Sequence, residues 1–269
     1  MVKHKPVLFL FKVSFTLLAI LCLAVILYGL DRPVNGVPPS GTVVAGAHPE
    51  IIKTNPVRGE KMARLYRSID VTFNQEVASA SLMVLNQENR IIVPGKIIIN
   101  KTMVSFIPSR VFLPGKTYTV IIRAESKEHL KVADRFSFNT VHMGEKIWVE
   151  VKLGERHSVT IFKGGNTIKH FPASGGLPES PTPTGYYYTQ DRGYSFWSSK
   201  FEEGATYWVR LAGQILVHSV PRDDRWRTKD EEHAKLGLPA SHGCIRLDEE
   251  DARWFFENIP HGTLVIIHG

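Results

Sequence analysis

Charged residues are missing from one stretch of this sequence, residues 13–30, which is mostly apolar. As a helix, these 18 residues would be about 27 Å long, close to the hydrocarbon thickness of a bilayer. The small-x-small cleavage site of a secretory signal peptide is also missing. We therefore predict that residues 1–30 form an uncleaved membrane anchor with one transmembrane helix. The preceding lysines, Lys3, Lys5 and Lys12, place the N-terminus in the cytoplasm and the rest of the chain outside it.

Cysteine is nearly absent, since the chain contains only Cys22 and Cys244. Exported proteins commonly use cysteines in disulfide pairs, but Cys22 lies within the predicted span, where Cys244 cannot easily reach it. An odd exported thiol is either reactive or an intermolecular bridge. A small, buried and inert side chain is the structural alternative.

Acidic residues are outnumbered, and the formal net charge is +7. Residues 49–142 carry +6 of this charge, whereas residues 143–269 carry −2. A basic surface favours an anionic wall polymer or lipid headgroups, although it can equally be a solvated face. We expect no nucleic-acid partner, because the chain is predicted to lie outside the membrane.

The pattern along the chain predicts two β-rich domains behind a linker. Residues 31–48 are rich in proline and glycine and read as the linker. Residues 49–142 contain about seven short strand-like runs, one of them Ile91–Val93, which predicts an immunoglobulin-like β-sandwich. The segments "TNPVRG", "IDVTFNQEV", "LPGKTYTV" and "FSFNT" resemble bacterial Ig-like domains, and this resemblance implies a spacer domain.

The second predicted domain, residues 145–269, is also mostly β but contains one clear helix. Apolar residues at helical spacing follow Asp248, which can cap the helix, and Pro260 ends it. The predicted fold class of the whole chain is therefore all-β. Cys244 precedes this helix in the stretch "SHGCIRL". We expect the helix N-terminus and neighbouring His or Arg side chains to favour a thiolate there.

A cysteine nucleophile needs a base and donors for the developing oxyanion. His218 ends a predicted strand, which suits a rigidly placed base, and His242 lies two residues from the thiol. Gly243 lets the backbone turn tightly, so that nearby amides can point at one site.

The stretch "SHGCIRL", together with "ILVHS" and "SPTPTGYY" upstream, resembles the YkuD-type L,D-transpeptidase family over roughly residues 145–269. The resemblance implies a mostly β catalytic domain that needs no cofactor and acts on the stem peptides of peptidoglycan. Its cysteine releases the terminal D-alanine of a tetrapeptide as a thioacyl-enzyme forms. The side-chain amine of a second stem then attacks, which gives a 3→3 cross-link. Carbapenem β-lactams are expected to acylate the same cysteine.

The resemblance also implies roles for individual residues. Cys244 is the nucleophile and His218 the acid/base, while the backbone carbonyl of Ser219 orients the imidazole. His242 and Gly243 belong to the signature as site-shaping and oxyanion-side residues.

Two further positions are assigned to substrate binding, Ser241 and Arg246. Ser241 opens the signature, and Arg246 can hold a substrate carboxylate by a bidentate pair. An ion pair between Arg246 and the acidic run at residues 248–251 is the alternative.

One departure from the family pattern concerns the spacer between His218 and Ser241. It has 22 residues, where the family usually has a number in the mid-teens. The excess lies in "RDDRWRTKDEEHAKLG", which is polar enough to be a surface lid, with His233 solvated. A longer loop costs only about 0.6 kcal/mol per doubling of its length.

Other functions remain open at this point. A cysteine hydrolase or carboxypeptidase would let water replace the acceptor amine, and a related enzyme would attach proteins to peptidoglycan. A zinc site could use His218, His242 and Cys244, but the sequence lacks the usual close ligand pairs, so we expect no metal. A non-enzymatic wall-binding scaffold would use the basic middle region.

Overall fold

Short strands with alternating apolar residues build the N-terminal half of the structure. The computed structural model describes residues 48–269, so the predicted membrane anchor and nearly all of the predicted linker lie outside the described residues. Within that range, none of the helices is both long enough and apolar enough to cross a bilayer. The N-terminal half (residues 48–142) contains β1 (Ile51–Asn55), β2 (Ile69–Phe73), β3 (Val77–Asn86), β4 (Gly95–Asn100), β5 (Met103–Pro108), β6 (Thr117–Ser126) and β7 (Lys131–Asn139).

Two sheets of this half enclose an apolar core, in agreement with the predicted β-sandwich. Their strand orders are β1-β2-β5-β4 and β3-β6-β7. In β2, the buried side chains are those of Ile69, Val71 and Phe73, because successive side chains of a strand point to opposite faces. They belong to the same buried cluster as Val120 of β6 and Phe138 of β7.

The strand predicted over Ile91–Val93 is wrong. This segment makes only an isolated bridge, between Leu85 and Ile92. Pro94 follows directly and has no N–H to donate to a ladder, so regular pairing cannot continue through it. The chain instead resumes pairing at β4, an edge strand beside β5.

The C-terminal half (residues 143–269) has nine strands and two helices. The helices are α1 (Asp230–His233) and α2 (Glu249–Asn258). The strands are β8 (Ile147–Leu153), β9 (His157–Lys163), β10 (Asn166–Pro172), β11 (Gly185–Tyr188), β12 (Arg192–Ser198), β13 (Glu203–Ala212), β14 (Ile215–Ser219), β15 (Ile245–Leu247) and β16 (Leu264–His268). They form two sheets, with the orders β10-β9-β8-β16-β11 and β12-β13-β14-β15. The described chain is thus all-β apart from the two short helices.

Helix α2 is the helix that the sequence predicts. The Asp248 carboxylate accepts a hydrogen bond from the Glu250 amide at 3.0 Å, which satisfies one of the unpaired donors of the first turn. Ala252 and Phe255 are fully buried against the sheets. Burial of this apolar face explains why the helix packs on the core side of β13 and β14.

The two halves share a small third core. Leu65 and Val111 from the N-terminal half pack with Trp148, Phe162 and Ile266 from the C-terminal half. Because all five side chains are buried, the junction between the halves is itself an apolar interface.

Polar groups reinforce this junction. The Tyr186 hydroxyl accepts a hydrogen bond from the Tyr66 amide at 2.8 Å and donates one to the Tyr66 carbonyl at 2.6 Å. Glu150 lies 2.8 Å from the Nε2 atom of His268 and accepts a hydrogen bond from the Val111 amide at 3.2 Å. The first half is therefore bonded to the second at several points.

Candidate active site

Parallel pairing of β14 with β15 brings the predicted catalytic residues together. His218 of β14 lies opposite Arg246 of β15, and Cys244 directly precedes β15. Side chains two positions apart share a face of a sheet, so Cys244 and Arg246 are on the side that His218 occupies.

These side chains line one cavity of about 580 Å³. Cys244, His218, His242, Ser241 and Arg246 all contribute to its wall. The remaining lining residues include Ser180, Phe196, Trp197, Ser198, Lys200, Phe201, Glu203, Trp208, Arg210, Gln214 and Leu216. The fold thus gathers five of the seven predicted site residues around a single cavity.

His218 is a buried, neutral imidazole with one free acceptor nitrogen. Its Nδ1 atom lies 2.6 Å from the Ser219 carbonyl oxygen. A carbonyl can only accept, so Nδ1 carries the proton and Nε2 is left as the proton acceptor. The ring packs edge-on against Phe196, with centroids 5.4 Å apart. Burial, and secondarily the positive charge of Arg246, lowers the pKa of His218 to about 4.

The Cys244 thiol is partly buried and protonated. Its Sγ atom donates a hydrogen bond to the Gln214 carbonyl at 3.3 Å. Burial raises the pKa of Cys244, while hydrogen bonding from the Leu216 backbone and the charge of Arg246 oppose this rise. The expectation of a thiolate is therefore wrong for the free protein. Strand β15 lies between the thiol and the N-terminus of α2 in the chain, and burial is the largest influence on this pKa.

The turn before Cys244 is held by its own side chains. Ser241 donates from Oγ to the Cys244 carbonyl at 2.5 Å and accepts from the Gly243 amide at 3.1 Å. Gly243 has a φ of +120°, and a Cβ atom there would approach Ile215 to 3.3 Å. Both observations explain why the turn needs glycine. The Gly243 amide points at Ser241, so this N–H is not directed at an oxyanion in this arrangement.

His242 lies at the exposed edge of the same turn. Its ring stacks on Phe201, with centroids 4.5 Å apart and an interplanar angle of 18°. Phe201 comes from the loop between β12 and β13, so this stack connects that hairpin to the catalytic turn.

Arg246 is buried and already has carboxylate partners. Its Nη1 atom donates to Glu232 at 2.6 Å and to the Ala240 carbonyl at 3.0 Å, and its Nη2 atom donates to Glu203 at 3.0 Å. The sequence offered an ion pair with residues 248–251 as an alternative, but the observed partners come from other segments. A substrate contact for Arg246 and Ser241 stays a prediction.

The long segment between His218 and Ser241 is bonded to the domain along its length. Glu232 reaches Arg246, His233 lies 2.8 Å from Asp248, and Ser174 donates to the Lys235 carbonyl at 2.9 Å. His233 is thus exposed, as expected, but paired rather than only solvated. We call residues 221–240 the strap.

Two known domain families match this chain. Residues 146–267 match the YkuD family, which is described as the L,D-transpeptidase catalytic domain, and residues 45–140 match a bacterial Ig-like domain. The C-terminal half is an L,D-transpeptidase catalytic domain. The N-terminal half is a bacterial Ig-like domain.

Several named proteins resemble the chain. A protein of Bacillus subtilis (strain 168) named as an L,D-transpeptidase, YciB, is 42% identical over 127 residues, which are 45% of this chain and 65% of that protein. The chain therefore covers somewhat less than two thirds of this relative. L,D-transpeptidase 1 of Mycobacterium tuberculosis (strain H37Rv) is 23% identical over 256 residues, 88% of this chain and 87% of the relative. A solved L,D-transpeptidase in complex with imipenem shares 18% identity at a TM-score of 0.40, covering 82% of this chain and 100% of its own.

The zinc site considered from the sequence can be compared with the arrangement of side chains in the structure. Among residues 48–269, no group of three or more His, Cys, Asp or Glu side chains is placed to hold a metal ion. His218 and Cys244 instead have backbone carbonyl partners, as described above.

Sequence reasoning missed two residues of the L,D-transpeptidase site, Glu203 and Glu232. Both pair with Arg246, but they are 43 and 14 residues away from it in the chain. Each lies in a polar stretch that looks like ordinary solvated surface. The one available signal was the Arg246 charge itself, which needs a partner if the signature strand is buried.

Proposed function

We propose that the protein is a peptidoglycan L,D-transpeptidase that forms 3→3 cross-links through a thioacyl-enzyme at Cys244. The observation that carries this proposal is the shared cavity wall of Cys244 and His218, with Nε2 of His218 as the free proton acceptor. The peptidoglycan substrate is inferred from the L,D-transpeptidase domain. The cavity is large enough for a peptide stem, since ligand sites commonly measure about 300–1,000 Å³.

Acylation begins from a neutral pair. The Sγ proton moves to Nε2 of His218 as Sγ attacks the carbonyl carbon of the third stem residue. The carbon–nitrogen bond to D-alanine then breaks, and the imidazolium returns its proton to the leaving amine. The carbonyl of Ser219 holds the ring in the required tautomer throughout.

The second half of the reaction reverses these roles. The side-chain amine of another stem attacks the thioester carbonyl and gives its proton to His218. A new amide bond forms, the carbon–sulfur bond breaks, and the proton returns to Sγ. No charge has to be stored permanently in the buried cavity, which agrees with the raised pKa of Cys244 and the lowered pKa of His218.

Acylation tests the nucleophile. Imipenem should add covalently to the purified full-length chain, and intact-mass spectrometry should find one adduct. Cys244→Ala should show none, while Cys22→Ala, the control for the other thiol, should behave as the wild type. An equal adduct on Cys244→Ala would exclude Cys244 as the nucleophile.

Product analysis tests the reaction. With a disaccharide-tetrapeptide whose third residue has a side-chain amine, mass spectrometry should detect a dimer that has lost one D-alanine. A tripeptide without a dimer would indicate a carboxypeptidase. A product joined to a protein would indicate protein attachment, and no turnover would favour a wall-binding scaffold.

The location is a second part of the proposal. We infer that residues 1–30 anchor the protein in the membrane with the catalytic domain on the outer side, where peptidoglycan lies. A membrane-impermeant maleimide should label Cys244 in intact cells whose wall has been opened, and Cys244→Ala should remove this labelling. Labelling that requires lysis of the membrane would reverse the predicted orientation.

A further inference from the structure

The strap contributes a negatively charged side chain to the surroundings of Cys244 and His218. Helix α1 of the strap presents Glu232, whose carboxylate lies 2.6 Å from Nη1 of Arg246 and 2.6 Å from Nζ of Lys235. The Arg246 side chain is 6% exposed and that of Glu232 17% exposed. An ion pair so far removed from water is weakly screened, and loss of either partner is costly.

Glu203 completes this cluster from the other side. It lies in β13, 3.0 Å from Nη2 of Arg246 and 3.4 Å from Nζ of Lys229, and the latter is also in the strap. Arg246 is therefore clamped between one carboxylate of the sheet and one of the strap. The guanidinium charge is balanced at the position directly across from His218.

We propose that Glu232 is a positioning residue of the transpeptidase site, which acts together with Glu203 by fixing Arg246 and setting the electric potential at Cys244 and His218. The strap is then a fixed electrostatic part of the site rather than a lid that opens for substrate. This inference rests on the proposed function, because it assigns the cluster to the same reaction.

The sign of the effect follows from the charges. Without the Glu232 carboxylate, the Arg246 charge is less compensated, and the potential in the cavity becomes more positive. A more positive potential stabilises the thiolate of Cys244 and disfavours the imidazolium of His218. The titratable and charged groups that line the cavity with the pair are Lys200, Glu203, Arg210, His242 and Arg246. The ion-pair cluster around Arg246 adds Lys229, Glu232 and Lys235.

Glu232→Gln isolates the charge, because the amide oxygen can still accept from Arg246. The probe is iodoacetamide, and the measurement is its rate of reaction with the Cys244 peptide, read by mass spectrometry over a series of pH values. We expect Glu232→Gln and Glu203→Gln each to move the midpoint of this profile to lower pH by on the order of 0.5 unit. At a fixed pH below the midpoint, this shift raises the rate roughly threefold.

Two variants serve as controls. Glu231, the neighbour of Glu232 in α1, is exposed and makes no ion pair within the described part of the chain, so Glu231→Gln should keep the wild-type profile. Glu232→Asp keeps the negative charge, so its pH profile should lie close to that of the wild type. A purely structural role for Glu232 would lower thermal stability without moving the midpoint.

The inference is overturned if Glu232→Gln has the same midpoint as Glu231→Gln while both are folded by circular dichroism. If Glu232→Gln does not fold, Glu203→Gln decides the question alone, and an unchanged midpoint overturns the inference. Iodoacetamide needs no peptide substrate, so a failure to cross-link stems would contradict the proposed function and leave this result intact.

Discussion

The Ig-like half and the catalytic half are both built from strands, but they bury different polar groups. Within the described residues of the Ig-like half, the buried polar side chains are neutral: Thr54, Asn86, Thr119, Ser126 and Thr140. The catalytic half buries ionisable groups as well, namely Glu150, His157, His218, Arg246 and His268.

This difference reflects the roles of the two halves, since the Ig-like half is a scaffold and the catalytic half contains the site. Burying a charge is costly unless it is paired and hydrogen-bonded, so a fold that only needs stability has no reason to do so. Two of the five ionisable groups, His218 and Arg246, line the catalytic cavity. Two others, Glu150 and His268, lie at the junction with the Ig-like half. Four of the five buried ionisable groups thus lie either at the catalytic cavity or at the junction.

The largest effect is expected from the catalytic half. His218→Ala removes the proton acceptor, and the rate of imipenem acylation should fall at least about 100-fold. Stopped mixing followed by mass spectrometry measures this rate. His261→Ala, an exposed histidine far along the chain, is the matched control and should react as the wild type. A fall of less than threefold would remove His218 from its assigned role.

Phe138→Ala tests the scaffold side of the comparison. The ring is fully buried and lies 5.5 Å from Phe112 and 5.6 Å from Tyr118, so its loss should cost about 3–5 kcal/mol of unfolding free energy. Urea unfolding gives this value. Ile98→Ala on the exposed strand β4 should cost less than about 0.5 kcal/mol.

Phe138→Ala should leave the acylation of Cys244 unchanged. Acylation per folded molecule should equal that of the wild type, because the cavity contains no residue of the Ig-like half. A folded variant with slow acylation would mean that the two halves are energetically coupled.

A pH dependence distinguishes the halves in a third way. The unfolded chain has His218 at its ordinary pKa of about 6.5, whereas burial lowers the pKa of the folded residue to about 4. Between these values the unfolded chain binds a proton that the folded protein does not. The free energy of unfolding should therefore fall as the pH drops from about 6.5 to 4, by up to about 3 kcal/mol. Burial lowers the pKa of His157 as well, which acts in the same direction.

Denaturant titrations at pH 7 and pH 4.5 measure this loss. His218→Ala should lose less stability than the wild type between the two, whereas the exposed control His261→Ala should lose as much. Equal losses for all three proteins would contradict a buried neutral His218.

The smallest effect is expected at the junction. Tyr186→Phe removes the hydroxyl that bonds both backbone groups of Tyr66, and should cost about 1–3 kcal/mol. Tyr188→Phe, in the same strand but 58% exposed, is the control and should be nearly neutral. Thermal unfolding compares the two, and a matching small effect would show that the Tyr186 hydroxyl does not stabilise the junction.

Much of the fold is readable from the sequence, because local patterns specify it. The alternation in β2 and the capped, amphipathic α2 are local features, and both form as predicted. The failure at Ile91–Val93 is also instructive: the residues favour a strand, but Pro94 and the pairing of the neighbouring segments decide otherwise. Pairing partners are non-local, so one short apolar run cannot reveal them.

The site is predictable only as far as its signature reaches. Cys244 and His218 stand in recognisable motifs, and the structure puts them on one cavity wall. The protonation of Cys244 was mispredicted, since the sequence places a helix nearby but does not reveal how deeply the sulfur is desolvated. Glu203 and Glu232 were missed because their role exists only after distant segments meet.

Strand β16 affects the order in which the molecule can assemble. It is an interior strand between β8 and β11, although β8 precedes it by more than a hundred residues in the chain. During synthesis, which delivers the N-terminal part first, the Ig-like domain can close while β8 still has an open edge. Leu65, Tyr66 and Val111 would then already be in place at the junction when β16, the last strand of the catalytic sheet to be synthesised, inserts between β8 and β11.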